Sequence, residues 1–209
     1  MALKPTKQRI IDAAITLYNA QGVSNTTLKH IAESVGMSIG NLAYHYPNHD
    51  YIIEEVYRQL EVERTQVFKN MLQAPTFENI NVELNTLMTL AQKYLFIQLD
   101  GPYILRNYPL LAELQRQFYE NSMNFVKIAI DMSVDLGNIV AEQVPKQYQR
   151  LSHTIWMLVT FWCVQQNLRE QKELDVEEVR QCIWGLLYPH LTPKGLHLFN
   201  KISEANKLS

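Results

Sequence analysis

The stretch Ser38-Ile39-Gly40-Asn41-Leu42-Ala43-Tyr44-His45 concentrates side chains that read a base edge or hold a phosphate. At helical spacing Leu42 points inward, which leaves Ile39, Gly40, Asn41 and Tyr44 on faces it does not bury. An Asn amide pairs bidentately with N6 and N7 of adenine, and an aliphatic side chain such as Ile39 packs on a thymine methyl. Ser38, Ile39, Asn41 and Tyr44 are therefore the expected contacts to bases or to neighbouring phosphates.

Competing chemistries lack their residue sets. The chain has no Gly-rich phosphate loop and no His-Glu-x-x-His, and Pro47 between His45 and His49 argues against a shared helical face for that pair. His153 and His190 have no companions at ligand spacing, and Cys163 and Cys182 both sit in apolar helical patterns, which reads as two buried thiols. The expectation is no enzyme, no metal and no cofactor.

The reading residues need a scaffold, and the preceding residues supply one. Thr26 and Thr27 stand directly before Leu28, Ile31, Ala32 and Val35, so either hydroxyl caps a helix. Gly36 permits the left-handed turn that closes it, and Ser38 opens the next. Two short helices with a glycine turn form a helix-turn-helix, whose second helix enters the major groove. The same hairpin occurs in all-α proteins that never meet DNA, so spacing alone leaves both readings open.

Residues 6–57 resemble the N-terminal domain of the TetR/AcrR family of bacterial transcriptional regulators. The likeness rests on the opening helix AAITLYNAQG, the Thr-Thr start, Ile31-Ala32, the Gly36-Met37-Ser38 turn, Gly40-Asn41-Leu42, the aromatic-His pair at 44 and 45, and Pro47. A Leu-Thr-Pro-x-Gly start at 191–195 resembles the family's last helix. The resemblance implies an all-α fold, with a three-helix DNA-binding domain over 1–47 and a helical effector-binding and dimerisation domain over 48–209, linked by a helix at about 48–73. It implies a homodimer, usually a repressor, released from double-stranded operator DNA by a small-molecule effector. Thr27, Lys29, Tyr44 and His45 match family positions that hold the DNA backbone. Lys4 and Lys7 would lie near it as well.

The chain departs from the family pattern at three positions: Ile39 stands where Lys or Arg is common, Ala43 where an aromatic is usual, and His49 where a Lys grips phosphate. Each lost phosphate contact weakens the salt-dependent part of DNA affinity. This keeps open an alternative, a helical ligand-binding or protein-interaction module with a weakened reading head.

Charge agrees with a local reading face only. The formal charge is −2, while residues 1–50 carry a net +1 from Lys4, Lys7, Arg9 and Lys29 against Asp12, Glu33 and Asp50. With 47% hydrophobic and 19% charged residues the chain is globular material, not disordered. The longest stretch free of Asp, Glu, Lys and Arg, Leu151–Leu168, still carries His153, Gln165, Gln166 and Asn167, so no membrane span is expected and the reading is cytoplasmic.

Elsewhere the pattern is helical. Pro5-Thr6 starts a first helix whose stripe of Ile10 or Ile11, Ala14, Leu17 and Tyr18 ends at Gly22, and Asn48 caps the long helix that stops before Pro75. Breaks fall at Gly101-Pro102, near Pro109, near Gly137, at Pro145, at 171–175 and at 189–193. Leu151–Leu168 is apolar on more than one face, so one cover would be its own core and the second a partner subunit or a central bundle. The residues expected at a dimer interface are Ile155, Trp162, Val179, Ile183 and Leu187. Those expected to line an effector cavity are Tyr94, Tyr103, Phe125 and Trp156, with Arg106 as an anchor for an acid group.

Overall fold

In the computed structural model, which describes residues 5–170 and 175–207, every regular element is a helix. Lys4 lies outside the described residues, as does most of the expected break at 171–175. Helix α1 (Thr6–Gln21) follows Pro5, buries Ile10, Ile11, Ala14, Ile15 and Tyr18, and ends at Gly22, whose φ of 85° suits a residue without a Cβ. Leu17, expected inside, is only half-buried.

Helices α2 (Leu28–Ser34) and α3 (Ile39–His45) form the helix-turn-helix. Thr27, not Thr26, caps α2: its hydroxyl accepts from His30 N at 3.3 Å, and the His30 ring accepts in return from Thr27 N. Thr26 is buried and donates instead to the Gly22 carbonyl at 2.8 Å, fastening the turn to α1. Gly36 adopts φ 71° and closes α2 as expected.

Asn48 caps α4 (His49–Gln73), accepting from Asp50 N at 3.0 Å. Then follow α5 (Phe77–Lys93), α6 (Phe96–Leu99), α7 (Gly101–Asn107), α8 (Pro109–Asp135), α9 (Gln147–Leu168), α10 (Val176–Leu187) and α11 (Pro193–Lys207). The break between α5 and α6 has no glycine or proline to announce it and escapes the sequence reading.

Contacts divide the chain into two units, residues 1–64 with 92–115, and 65–91 with 116–209. The first is therefore larger than the reading helices of 1–47, because 92–115 bonds directly to them. Asn19 donates to Lys93 O at 2.8 Å and accepts from Phe96 N at 2.9 Å, and the Asp100 carboxylate accepts from Val23 N at 2.7 Å.

In the second unit, Phe77, Trp184 and Ile202 form one core cluster and Ile130, Ile139 and Tyr148 another, with Leu187 and Leu191 packed against both. Cys163 is buried, and burial pushes its thiol up to about 11. Cys182 is exposed, contrary to expectation, because α10 turns Val179 and Ile183 inward and leaves the intervening residue outside.

The Leu-Thr-Pro-x-Gly motif has a physical basis here. Thr192 accepts from Gly195 N at 3.1 Å and donates to Gly137 O at 2.7 Å, while its own N–H reaches Asn138 O at 3.0 Å. A Cβ on Gly195 would overlap the Asn138 carbonyl oxygen. The variant Gly195→Ala should therefore lose stability on the order of 2 kcal/mol through overpacking, read as a lower thermal midpoint in calorimetry.

Candidate nucleic-acid interface

Helix α3 has seven residues and one buried side chain, Leu42 at 0% exposure. Its start is held by Ser38, which accepts from Asn41 N at 3.2 Å. Around that anchor Ile39, Gly40, Asn41 and Tyr44 are all exposed, the Tyr44 ring to 85%. An aromatic ring left this open gains nothing from the protein's own packing and is free to lie against another molecule.

The neighbouring expected contacts divide. Thr27 and Lys29 are exposed, Lys29 pairing at 3.8 Å with Glu33 in a contact that solvent screens. His45 is half-buried, its ring edge-on to Tyr44 with centroids 5.4 Å apart. His49 does not join the set. It opens α4 rather than ending α3, and its Nε2 lies 3.0 Å from the Tyr18 hydroxyl, with Tyr108 on the other ring nitrogen at 3.4 Å. The ring is half-buried, and burial lowers its pKa from the ordinary 6.5, with Asp50 opposing. The same burial raises the Tyr18 phenol, and pushes Tyr108 up to about 12 with Tyr103 adding to it, so both hydroxyls stay protonated.

Arg9 does more than add charge to the head. Its Nη2 donates to Val35 O at 2.8 Å, tying α1 to the end of α2. Lys7 sits 5.7 Å from the centroid of the largely buried Tyr46 ring, a cation–π contact at the edge of the head.

The second unit holds an apolar cavity of about 120 Å³, formed by side chains of α4, α5, α8, α9 and α10 with Ile139. Of the five residues expected around a ligand, Phe125 lines it. Tyr94 is buried in the first unit with its hydroxyl donating to Glu63 at 3.0 Å, and Tyr103 and Arg106 are exposed on α7. Trp156 packs edge-on against Tyr119 at 4.7 Å outside the cavity lining. The arginine in the wall is Arg180, beside Asn81. Asn81 was readable in the sequence as a polar residue interrupting the inward stripe Phe77, Leu84 and Met88 of α5.

The expected dimer residues lie inside the protomer. Ile155, Trp162, Val179 and Ile183 are buried within the protomer, and Leu187 is packed into its core. The outward apolar side chains of these helices are Met157 and Phe161, each 44% exposed, and Leu168 at 79%, with Tyr188 following α10. Helical spacing showed two stripes but not which one the protomer itself would cover.

Comparison with known proteins bears on both units. A family model described as "Bacterial transcriptional repressor", TetR, matches residues 59–199, and one described as "Bacterial regulatory proteins, tetR family" matches residues 10–56. The biofilm operon icaADBC HTH-type negative transcriptional regulator IcaR of Staphylococcus epidermidis is 45% identical over 53 residues, 25% of this chain and 26% of that one. The chain thus matches about a quarter of that relative's length. A TetR-family regulator from Marinobacter aquaeolei VT8 has the same fold, with a TM-score of 0.85 at 23% identity over 96% of this chain and 98% of that one. SmeT, the repressor of the Stenotrophomonas maltophilia multidrug efflux pump SmeDEF, has a TM-score of 0.64 at 15% identity over 91% and 92% of the two chains. Among the described residues, no helix is long and apolar enough to cross a membrane.

The inward setting of His49 has a consequence for pH. A folded-state pKa below the unfolded value means that the unfolded chain binds the proton more tightly. The stability His49 contributes is complete above pH 6.5 and is lost as pH falls from there through the folded-state pKa. Thermal melts of the native chain between about pH 7.5 and 5.5 should show falling midpoints, and His49→Gln should flatten that decline.

Proposed function

This chain belongs to the TetR family of bacterial transcriptional regulators, and on that premise we propose that it is a cytoplasmic repressor with no enzymatic role. It works as a homodimer on double-stranded operator DNA and leaves that DNA when a small molecule occupies the cavity of its second unit. The observation that carries the reading is the outer face of α3, where Asn41 and Tyr44 stand free around a fully buried Leu42. Asn41 supplies the base-reading amide, Ile39 an apolar contact for a thymine methyl, and Thr27, Lys29, Ser38, Tyr44 and His45 the backbone grip. Because Ile39 replaces a cation and His49 is engaged with Tyr18, the phosphate share of the affinity is small.

The uncovered stripe of Met157, Phe161 and Leu168 on α9 supports a homodimer. Two copies related by a two-fold axis present two copies of α3 to one duplex. Ligand occupancy favours a conformer in which these helices no longer match major grooves about 34 Å apart. The cavity is below the size of drug-binding pockets, which run from roughly 300 Å³, and near that of an apolar cavity that admits benzene.

Fluorescence anisotropy with the protein's own upstream region should give tighter binding than scrambled DNA at equal salt. Equal affinity for both would sink the regulator reading in favour of a helical ligand-binding module. Asn41→Ala should cost about 1–3 kcal/mol of discrimination, whereas Ile39→Lys should tighten binding to any sequence and steepen the salt dependence by about one ion. In sedimentation equilibrium the native chain should be dimeric and Phe161→Glu monomeric, with unchanged helical content.

A further inference from the structure

Two residues that line the apolar cavity of the second unit carry buried hydrogen-bond donors with nothing to receive them. Asn81 is 6% exposed; its Oδ1 accepts from Trp184 Nε1 at 3.0 Å, but its Nδ2 is buried without a partner. Arg180 spends its two terminal nitrogens on Glu177 and on Asn85 Oδ1, and its Nε is likewise buried and unpartnered. The other polar groups in the wall are satisfied, Ser133 by the Ala129 carbonyl and Trp184 by Asn81. Buried donors in apolar surroundings carry a free-energy penalty until an acceptor arrives.

Position sharpens the point. Asn81, Arg180 and Trp184 also wall a larger groove, of about 700 Å³, so these three residues stand between an apolar chamber and that groove. The chamber takes an apolar body, and the partition takes an oxygen. Charge decides which kind of oxygen. The Arg180 guanidinium is already neutralised by the Glu177 carboxylate, so a carboxylate ligand would bring an uncompensated charge into an apolar cavity. A neutral oxygen acceptor carries no such cost.

We infer that the effector is a small, uncharged, mainly apolar molecule bearing a hydrogen-bond-accepting oxygen, which Asn81 Nδ2 and Arg180 Nε receive. This rests on the reading of the cavity as the effector site, and extends it to ligand chemistry and to the two residues that select it. The size of the cavity sets the scale of the ligand at a single small ring.

The test uses three probes of one ring size on the full chain: cyclohexanone, methylcyclohexane and cyclohexanecarboxylate, titrated by ligand-observed NMR. Cyclohexanone should bind about tenfold more tightly than methylcyclohexane, the return on two satisfied donors, and the carboxylate no more tightly than the hydrocarbon. Asn81→Leu removes one donor and leaves Trp184 without its acceptor, so Arg180→Lys serves as the milder second variant, keeping the charge that faces Glu177. In each the preference for the ketone should shrink while methylcyclohexane binding stays. Equal affinity for ketone and hydrocarbon, tightest binding by the carboxylate, or a preference that survives in both variants overturns the inference and leaves the cavity as a ligand site. Binding by none of the three overturns the inference and the cavity reading together. Operator selectivity, measured separately by anisotropy, reports on the DNA reading alone.

Discussion

A helix of seven residues does not hold together by itself in water, because the cost of its first turn exceeds what its few internal bonds return. Helix α3 is such a helix, and the first unit is arranged around supplying from outside what it lacks. Ser38 satisfies an N–H at its start, Leu42 is fully buried, and Arg9 fixes the end of α2 through the Val35 carbonyl. Since one side chain is enough to seat α3, the rest of its surface carries no structural duty. An exposed, rigid face bearing an amide and a phenol results from that economy of anchoring, and it suits a groove that must be approached by side chains already held in place.

The second unit works from the opposite constraint. Its helices bury most of their apolar stripes against one another, yet the stripe of α5 carries Asn81 where an aliphatic residue would close the core, and α10 brings Arg180 to the same wall. Glu177 and Asn85 keep the Arg180 guanidinium in position, and Trp184 keeps the Asn81 amide in position, so their free N–H groups are preorganised.

Several residues changed role between sequence and structure for one recurring reason: local spacing gives a face, but not its occupant. His49 stands where a phosphate-holding lysine is usual, yet Tyr18 from α1 and Tyr108 at the end of α7 take its two ring nitrogens. Tyr94 looked like a pocket aromatic and is a buried partner of Glu63. Ile155, Trp162, Val179 and Ile183 sit on the more hydrophobic stripes of α9 and α10, and the protomer claims those stripes for its own interior. Met157, Phe161 and Leu168 of α9 are left uncovered by the protomer.

What the sequence determined unaided were the features written within a few residues of one another: the helical class, a cap at Thr26 or Thr27 and another at Ser38, the Gly36 turn, the Leu42 anchor and the exposed Asn41 and Tyr44, together with the Thr192-Pro193 start of α11. These follow from dihedral preference and from hydrogen bonds that reach three or four residues, so neighbouring letters suffice. Tertiary structure alone decided the adherence of 92–115 to the reading head, the inward turn of His49, the meeting of Asn81 with Trp184 and of Arg180 with Asn85, and the clash that requires glycine at 195. Each depends on residues tens of positions apart meeting across a packed interior, where the partner a side chain finds is set by how whole helices nest and not by its own spacing in the chain.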